Sequence, residues 1–240
     1  MDVRRAAAPE VGGLGQRAQL ALVGAGPRAR AHGLDGAVVG LDAEFTRLRL
    51  IKSDEEIAWL RTGCELTDRA VDALRTGARP GLDERQLGDL VERAYVARGG
   101  VTHIHYFAAT AMDRPAIAAP AQWPSTRRLA PGDALVCEIS ASWWDHPGQV
   151  LRTYTVAAEA TPLYRELHDV AEAAFDAVAG ELRPGASAAA LVEASRVIED
   201  AGFTIRDDLV HGFVGGYLRP VVGRGAARPP RSRTSPSGPG

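Results

Sequence analysis

The chain has 240 residues, 45% of them hydrophobic, and a net charge of -2 at neutral pH. Such a composition supplies a sizeable core and excludes a disordered chain, while the near-zero charge excludes a general electrostatic affinity for nucleic acid or an anionic membrane. Cys64 and Cys137 both fall in apolar periodic segments and are expected as buried thiols rather than a disulfide framework. With no apolar run long enough to span a bilayer and no secretory leader pattern, this reads as a cytoplasmic protein.

Residues 1 to about 18 are rich in Ala, Gly and Arg without a period, and are expected to be a poorly ordered lead-in. Two short strand-like runs follow, from Leu20 and from Gly36. Gly24 and Gly26 are placed as in a dinucleotide fingerprint, with Ala29 in the third position, but no βαβ pattern follows and nucleotide binding is set aside. Ser53 and Glu56 form a capping box, and Ile57, Leu60, Cys64, Thr67, Val71 and Leu74 trace the apolar stripe of a helix to about Arg75. After Pro80-Gly81, Asp83 and Gln86 start a second helix with Leu87, Leu90, Val91 and Ala94 on its buried face, and Gly99-Gly100 stops it.

The stretch Gly132 to Tyr154 joins strand pattern to polar chemistry. Leu135, Cys137, Ile139 and Ala141 alternate, so Val136, Glu138 and Ser140 share the other face. Asp145 to Gly148 is turn-rich, with Asp145 and His146 expected as turn residues, and a second strand from Gln149 to Val156 folds back, bringing Glu138 towards Gln149. The order then recurs. Pro162 opens a long helix carrying Leu163, Leu167, Val170, Ala171, Ala174, Phe175, Val178 and Leu182. Arg183-Pro184-Gly185 repeats Arg79-Pro80-Gly81, and Ser187 stands where Asp83 caps, both at an offset of 104 residues. This predicts a duplicated α+β domain with helices on one side of a mostly antiparallel sheet. His211-Gly212 leads into a glycine-rich loop, where backbone can approach a ligand closely. From Arg224 the composition turns to Arg, Pro, Ser and Gly, and a disordered tail is expected.

Taken together, the IKSDEEIAWLR helix entry, the ARPG break, Gly132-Asp133, Arg152-Thr153-Tyr154, the LRPG repeat and His211-Gly212 resemble the pita-bread family of creatinase, aminopeptidase P and Xaa-Pro dipeptidase. The resemblance implies residues 1–50 as the remnant of an N-terminal domain, 51–223 as a catalytic-type domain, and 224–240 as a tail. The change at Arg224, where the family continues with core strands, is read as a truncation or frameshift. It also implies C–N hydrolysis of a small peptide-like or amidic substrate, with homodimers common among similar proteins.

Active peptidases of this family hold two divalent metals. The resemblance places Glu138 and Gln149 where the family has two aspartates, His211 on its histidine, and Leu218 and Arg219 on a following histidine-glutamate pair, with no acidic residue after Asp208 for the two late glutamates. A neutral amide cannot supply the missing charge, and an arginine repels a cation. The expectation is therefore no metal and no other cofactor. Metal-free creatinase moves a proton with a histidine whose place falls near Ala121 and Gln122 here. His103 and His105, at i and i+2, are expected on one strand face towards the cleft. His211, Glu138 and His105 are thus the candidate proton-transfer groups, and Gln149, Trp143, Arg152 and Gly212 the candidate substrate contacts. Trp143 and Trp144 suit a ligand pocket or simple aromatic packing equally, and alternation does not require Arg152 to share a face with Glu138. A binding protein without turnover is the alternative.

Overall fold

The structure, a computed structural model, describes residues 20–22, 38–117, 119–206, 208–213 and 217–223. The lead-in, the Gly24, Gly26 and Ala29 positions, the loop 214–216 and the tail from Arg224 lie outside the described residues. The chain divides into two compact units, Met1–Ile51 and Lys52–Gly240. In the first, β1 (Leu20–Leu22) and β2 (Val38–Gly40) pair in parallel, where two strand-like runs are expected. A helix that periodicity does not announce, α1 (Asp42–Leu50), follows. It buries none of its residues, and its order comes with Asp42 and Glu44 in the first turn and Arg47 and Arg49 in the last, each suited to the helix dipole.

The second unit opens with α2 (Asp54–Gly77) and α3 (Glu84–Tyr95), both started by the expected capping boxes, Ser53 with Glu56 and Asp83 with Gln86. The buried stripe of α2 differs from the predicted one: it runs through Gly63, Leu66, Thr67, Ala70 and Leu74, leaving Ile57 and Cys64 exposed. Close approach decides this rotation. A Cβ on Gly63 would stand 2.2 Å from the His146 carbonyl oxygen, and one on Gly148 would stand 2.5 Å from Cys64 Cα, so two glycines meet where α2 crosses the hairpin. The Cys64 backbone lies against Gly148 while the residue is exposed, so only Cys137 is the buried thiol expected; burial pushes that thiol up to about 12. Thr67 ties the same crossing: its hydroxyl lies 3.0 Å from Gly148 O and accepts from Ala141 N at 3.0 Å.

Strands β3 (Val101–Ala111), β4 (Asp133–Trp143), β5 (His146–Pro147) and β6 (Val150–Thr155) form an antiparallel sheet with β4 flanked by β3 and by β5 and β6. As alternation predicts, Leu135, Cys137, Ile139 and Ala141 are buried in one cluster with Leu66, Ala70 and Leu74 of α2 and Leu87, Val91 and Tyr95 of α3. Burial of this kind stabilises by about 1.5–3 kcal/mol per large apolar side chain, so the cluster fixes which face of β4 looks at the helices. The turn itself corrects the sequence reading. Trp143 pairs with His146, so the two-residue turn is Trp144-Asp145, and His146 is a buried strand residue against the Trp59 ring rather than a turn residue.

The order repeats in α4 (Pro162–Glu181), α5 (Ala188–Ala194), α6 (Val197–Asp200), β7 (Val210–Phe213) and β8 (Tyr217–Val222), the last two antiparallel. Gly81 and Gly185, 104 residues apart in the two Arg-Pro-Gly breaks, both take left-handed φ, +92° and +86°. Asp83 and Ser187, at the same offset, both cap the next helix. The repeat is thus in backbone conformation as well as in letters. Its packing is thinner: Val178, Leu191 and Val222 form the second cluster, whereas Leu163, Phe175 and Leu182 of the predicted α4 stripe are exposed. Among the described residues no helix is long and apolar enough to cross a membrane.

Candidate functional site

Because β4 turns Cys137 and Ile139 to the helices, Glu138 projects from the opposite face, between Tyr106 on β3 and Leu151 on β6. The hairpin brings Gln149 to it as predicted, and Gln149 Nε2 donates to Glu138 Oε1 at 2.5 Å. On the same face of β4, Ser140 and Ser142 are buried and their hydroxyls have no hydrogen-bond partner. An orphaned buried hydroxyl costs roughly 1–3 kcal/mol, and two along one strip beside a carboxylate amount to unfilled polar capacity. Alternation puts Ser140 on this face, but the unpartnered state of the two hydroxyls is not legible in the sequence, because serine in a strand carries no pattern of its own.

The expected pairing of His105 with this face is overturned. A bulge between Thr102 and Ile104 sets Thr102 opposite Ala141 and His105 opposite Ile139, so both look at the helices, and His103 is the extra residue. His105 joins a chain of hydrogen bonds beneath α3 instead. Its Nδ1 lies 2.5 Å from Ile104 O and must donate to that carbonyl, leaving Nε2 to accept from Tyr95 Oη at 2.6 Å. Tyr95 Oη meets Thr102 Oγ1 at 2.6 Å, and Thr102 meets Glu92 Oε1 at 3.1 Å. Thr102 has one proton for two partners, so the longer contact to Glu92 is the weaker one. Burial lowers the His105 pKa and pushes Tyr95 up to about 12. A cavity of about 490 Å³ opens here, edged by Glu84, Glu92, His105 and Gln122. Ala121, near the place the resemblance gives to the creatinase histidine, only donates its N–H to Phe107 O.

Arg152 lies opposite Cys137 and so on the helix side, away from Glu138, where its guanidinium reaches Leu151 O. Trp143 packs against the core, its ring where a Cβ on Gly99 would stand. His211 belongs to a different sheet: its Nδ1 lies 3.1 Å from Gly212 O, and its ring stands 5.9 Å from that of Phe213. Phe213 in turn meets His103 edge-on at 5.4 Å, which brings β7 to the bulge of β3. Gly212, opposite Leu218 in β8, flanks the register shift beside His211. Among the described residues no three His, Cys, Asp or Glu side chains gather as a metal site.

Asp133, whose place beside Gly132 is legible in sequence, has a role that is not. Buried at 1% exposure, it takes both Arg127 guanidinium nitrogens at 2.6 and 2.7 Å and the Ala130 N–H at 2.8 Å. The Arg127 hydrogen bonds hold its carboxyl below the usual value of 3.8. The pair locks the loop that enters β4 and so sets where Glu138 stands.

Comparison with known proteins agrees with this architecture. The description "Metallopeptidase family M24" matches residues 58–226. Xaa-Pro dipeptidases of Pyrococcus furiosus and Pyrococcus horikoshii are 26% and 25% identical over 164 residues, 68% of this chain and 46% of each relative. The chain thus spans about half the length of the curated relatives it matches. Among solved structures, prolidase from Pyrococcus furiosus superposes with a TM-score of 0.73 at 21% identity, over 86% of this chain and 63% of that one. The X-Pro aminopeptidase from Thermotoga maritima does so with 0.68 at 20% identity, over 81% and 55%. With a pita-bread fold, the duplicated helix-strand order and a family match over most of its length, this chain belongs to metallopeptidase family M24.

Proposed function

We propose that this chain is a C–N hydrolase by descent that acts on a small peptide-like or amidic substrate through Glu138, without the dinuclear metal centre of its relatives. The observation that carries this reading is the hydrogen bond from Gln149 to Glu138. It turns the amide nitrogen, a donor, towards the carboxylate, where a divalent pair would need a second anionic oxygen. With Leu218 and Arg219 at the family's histidine and glutamate positions, the donor set does not fit two divalent cations. What remains suits amide recognition: Glu138 as a proton acceptor oriented by Gln149, and His211 as the second proton-transfer group.

A second reading, ligand binding without turnover, is favoured by His211 standing in another sheet with its ring against Phe213. One experiment separates the two. Purified protein is assayed for Mn, Co and Zn and for cleavage of Xaa-Pro dipeptides with and without chelator. The metal-free enzyme shows substoichiometric metal and chelator-insensitive turnover that falls at least about 100-fold in Glu138→Gln. Saturable peptide binding with no turnover supports the second reading, and near-stoichiometric metal with chelator-sensitive cleavage sinks the metal-free site.

A further inference from the structure

The β4–β5 turn breaks a local rule. Two-residue hairpin turns with both φ positive favour Asn-Gly or Asp-Gly, because a side chain in the left-handed region costs of order 1–2 kcal/mol. Here Trp144 and Asp145 occupy the turn at φ 47° and 63°. Trp144 recovers little by burial, since it is 73% exposed. A large indole held at a strained position and left in solvent has no folding rationale, and such local conflicts concentrate at functional sites.

The turn stands over a cavity of about 460 Å³ lined by Trp143, Trp144, Asp145, Ser142, His103 and Val101. Its size falls within the range of small-ligand sites. The wall offers the indoles of Trp143 and Trp144, the Asp145 carboxylate, the His103 imidazole and the hydroxyl residues Thr102 and Ser142, and no lysine or arginine lines it. Aromatic faces attract cations, and a carboxylate supplies the counter-charge.

We propose that this cavity binds a small alkylammonium group, held over the Trp144 indole with its charge against Asp145. The site is independent of the Glu138–Gln149 pair and of whether that pair turns over a substrate. A neutral alcohol of the same shape lacks the charge, so it is excluded by the same groups that select the amine.

The test is a titration of the full chain with n-butylammonium chloride at matched ionic strength, followed through the indole N–H resonances by NMR, with 1-butanol as the neutral control. Expected are a saturable shift of the Trp144 signal with the amine and none with the alcohol. Asp145→Asn keeps a residue that tolerates left-handed φ and weakens binding about tenfold. Trp144→Asn raises the melting temperature by relieving the turn yet abolishes binding, so loss of the site cannot be confused with loss of the fold. No saturation up to about 100 mM amine, equal affinity for 1-butanol, or wild-type affinity in Asp145→Asn overturns the proposal.

Discussion

Gln149 Nε2 donates to Glu138 Oε1 at 2.5 Å across the hairpin, joining the positions that the family resemblance gives to two aspartates. In this chain the two side chains pair with each other. Gln149→Asp reverses that change. Two facing carboxylates repel, so the variant is expected to lose about 1–2 kcal/mol of stability without added metal. Millimolar Mn²⁺ then raises its melting temperature and leaves that of the wild type unmoved, because only the variant gains a binding site. An equal metal-dependent shift in the wild type counts against the metal-free reading.

The crossing of α2 over the hairpin gives a prediction about packing. Gly63→Ala drives a Cβ to within 2.2 Å of a backbone oxygen, which must then move, and the expected cost is about 3 kcal/mol. Gly88, inside α3, meets nothing within 4 Å, so Gly88→Ala is expected to stabilise by about 0.5–1 kcal/mol through helix propensity alone. Urea denaturation of the two variants measures opposite signs from the same substitution.

The Asp133–Arg127 pair is asymmetric, and its mutants should be too. Arg127 has a side chain 38% exposed and survives alone in water, whereas Asp133 is sealed in. Arg127→Ala strands a buried carboxylate and is expected to cost about 3 kcal/mol, against about 1–2 kcal/mol for Asp133→Asn, which keeps the acceptor for Ala130. Since the Asp133 pKa is lowered, its contribution is present above pH 3.8 and is lost as pH falls through the folded value. Acid unfolding of the wild type and of Asp133→Asn should therefore converge below that value.

His105 carries linkage of the same sign in a higher pH window. Burial lowers its pKa below 6.5, so the unfolded chain takes up the proton first. Its contribution to stability is complete above pH 6.5 and declines as pH falls from there to the folded value. NMR titration of the imidazole checks the direction. Tyr95→Phe removes the hydroxyl shared by His105 and Thr102, at an expected cost of about 1–2 kcal/mol, while leaving the Glu138 side of the sheet untouched.

The sequence by itself determined the two capping boxes, the repeated Arg-Pro-Gly breaks, the helix-facing residues of β4 and the approach of Gln149 to Glu138. These are local facts, set by hydrogen-bond reach within a few residues, by strand alternation, or by one short hairpin. Only the tertiary structure decided which face of α2 is buried, because Gly63 is chosen by a contact with Gly148 that no periodicity records. It also decided the side on which His105 stands. One extra residue at His103 shifts the phase of β3, and alternation read from letters has no means of registering a bulge. Arg127 and Asp133, Tyr95 and His105, and the unfilled hydroxyls of Ser140 and Ser142 belong to the same class: each depends on what another element places against it, and that is set by packing rather than by spacing.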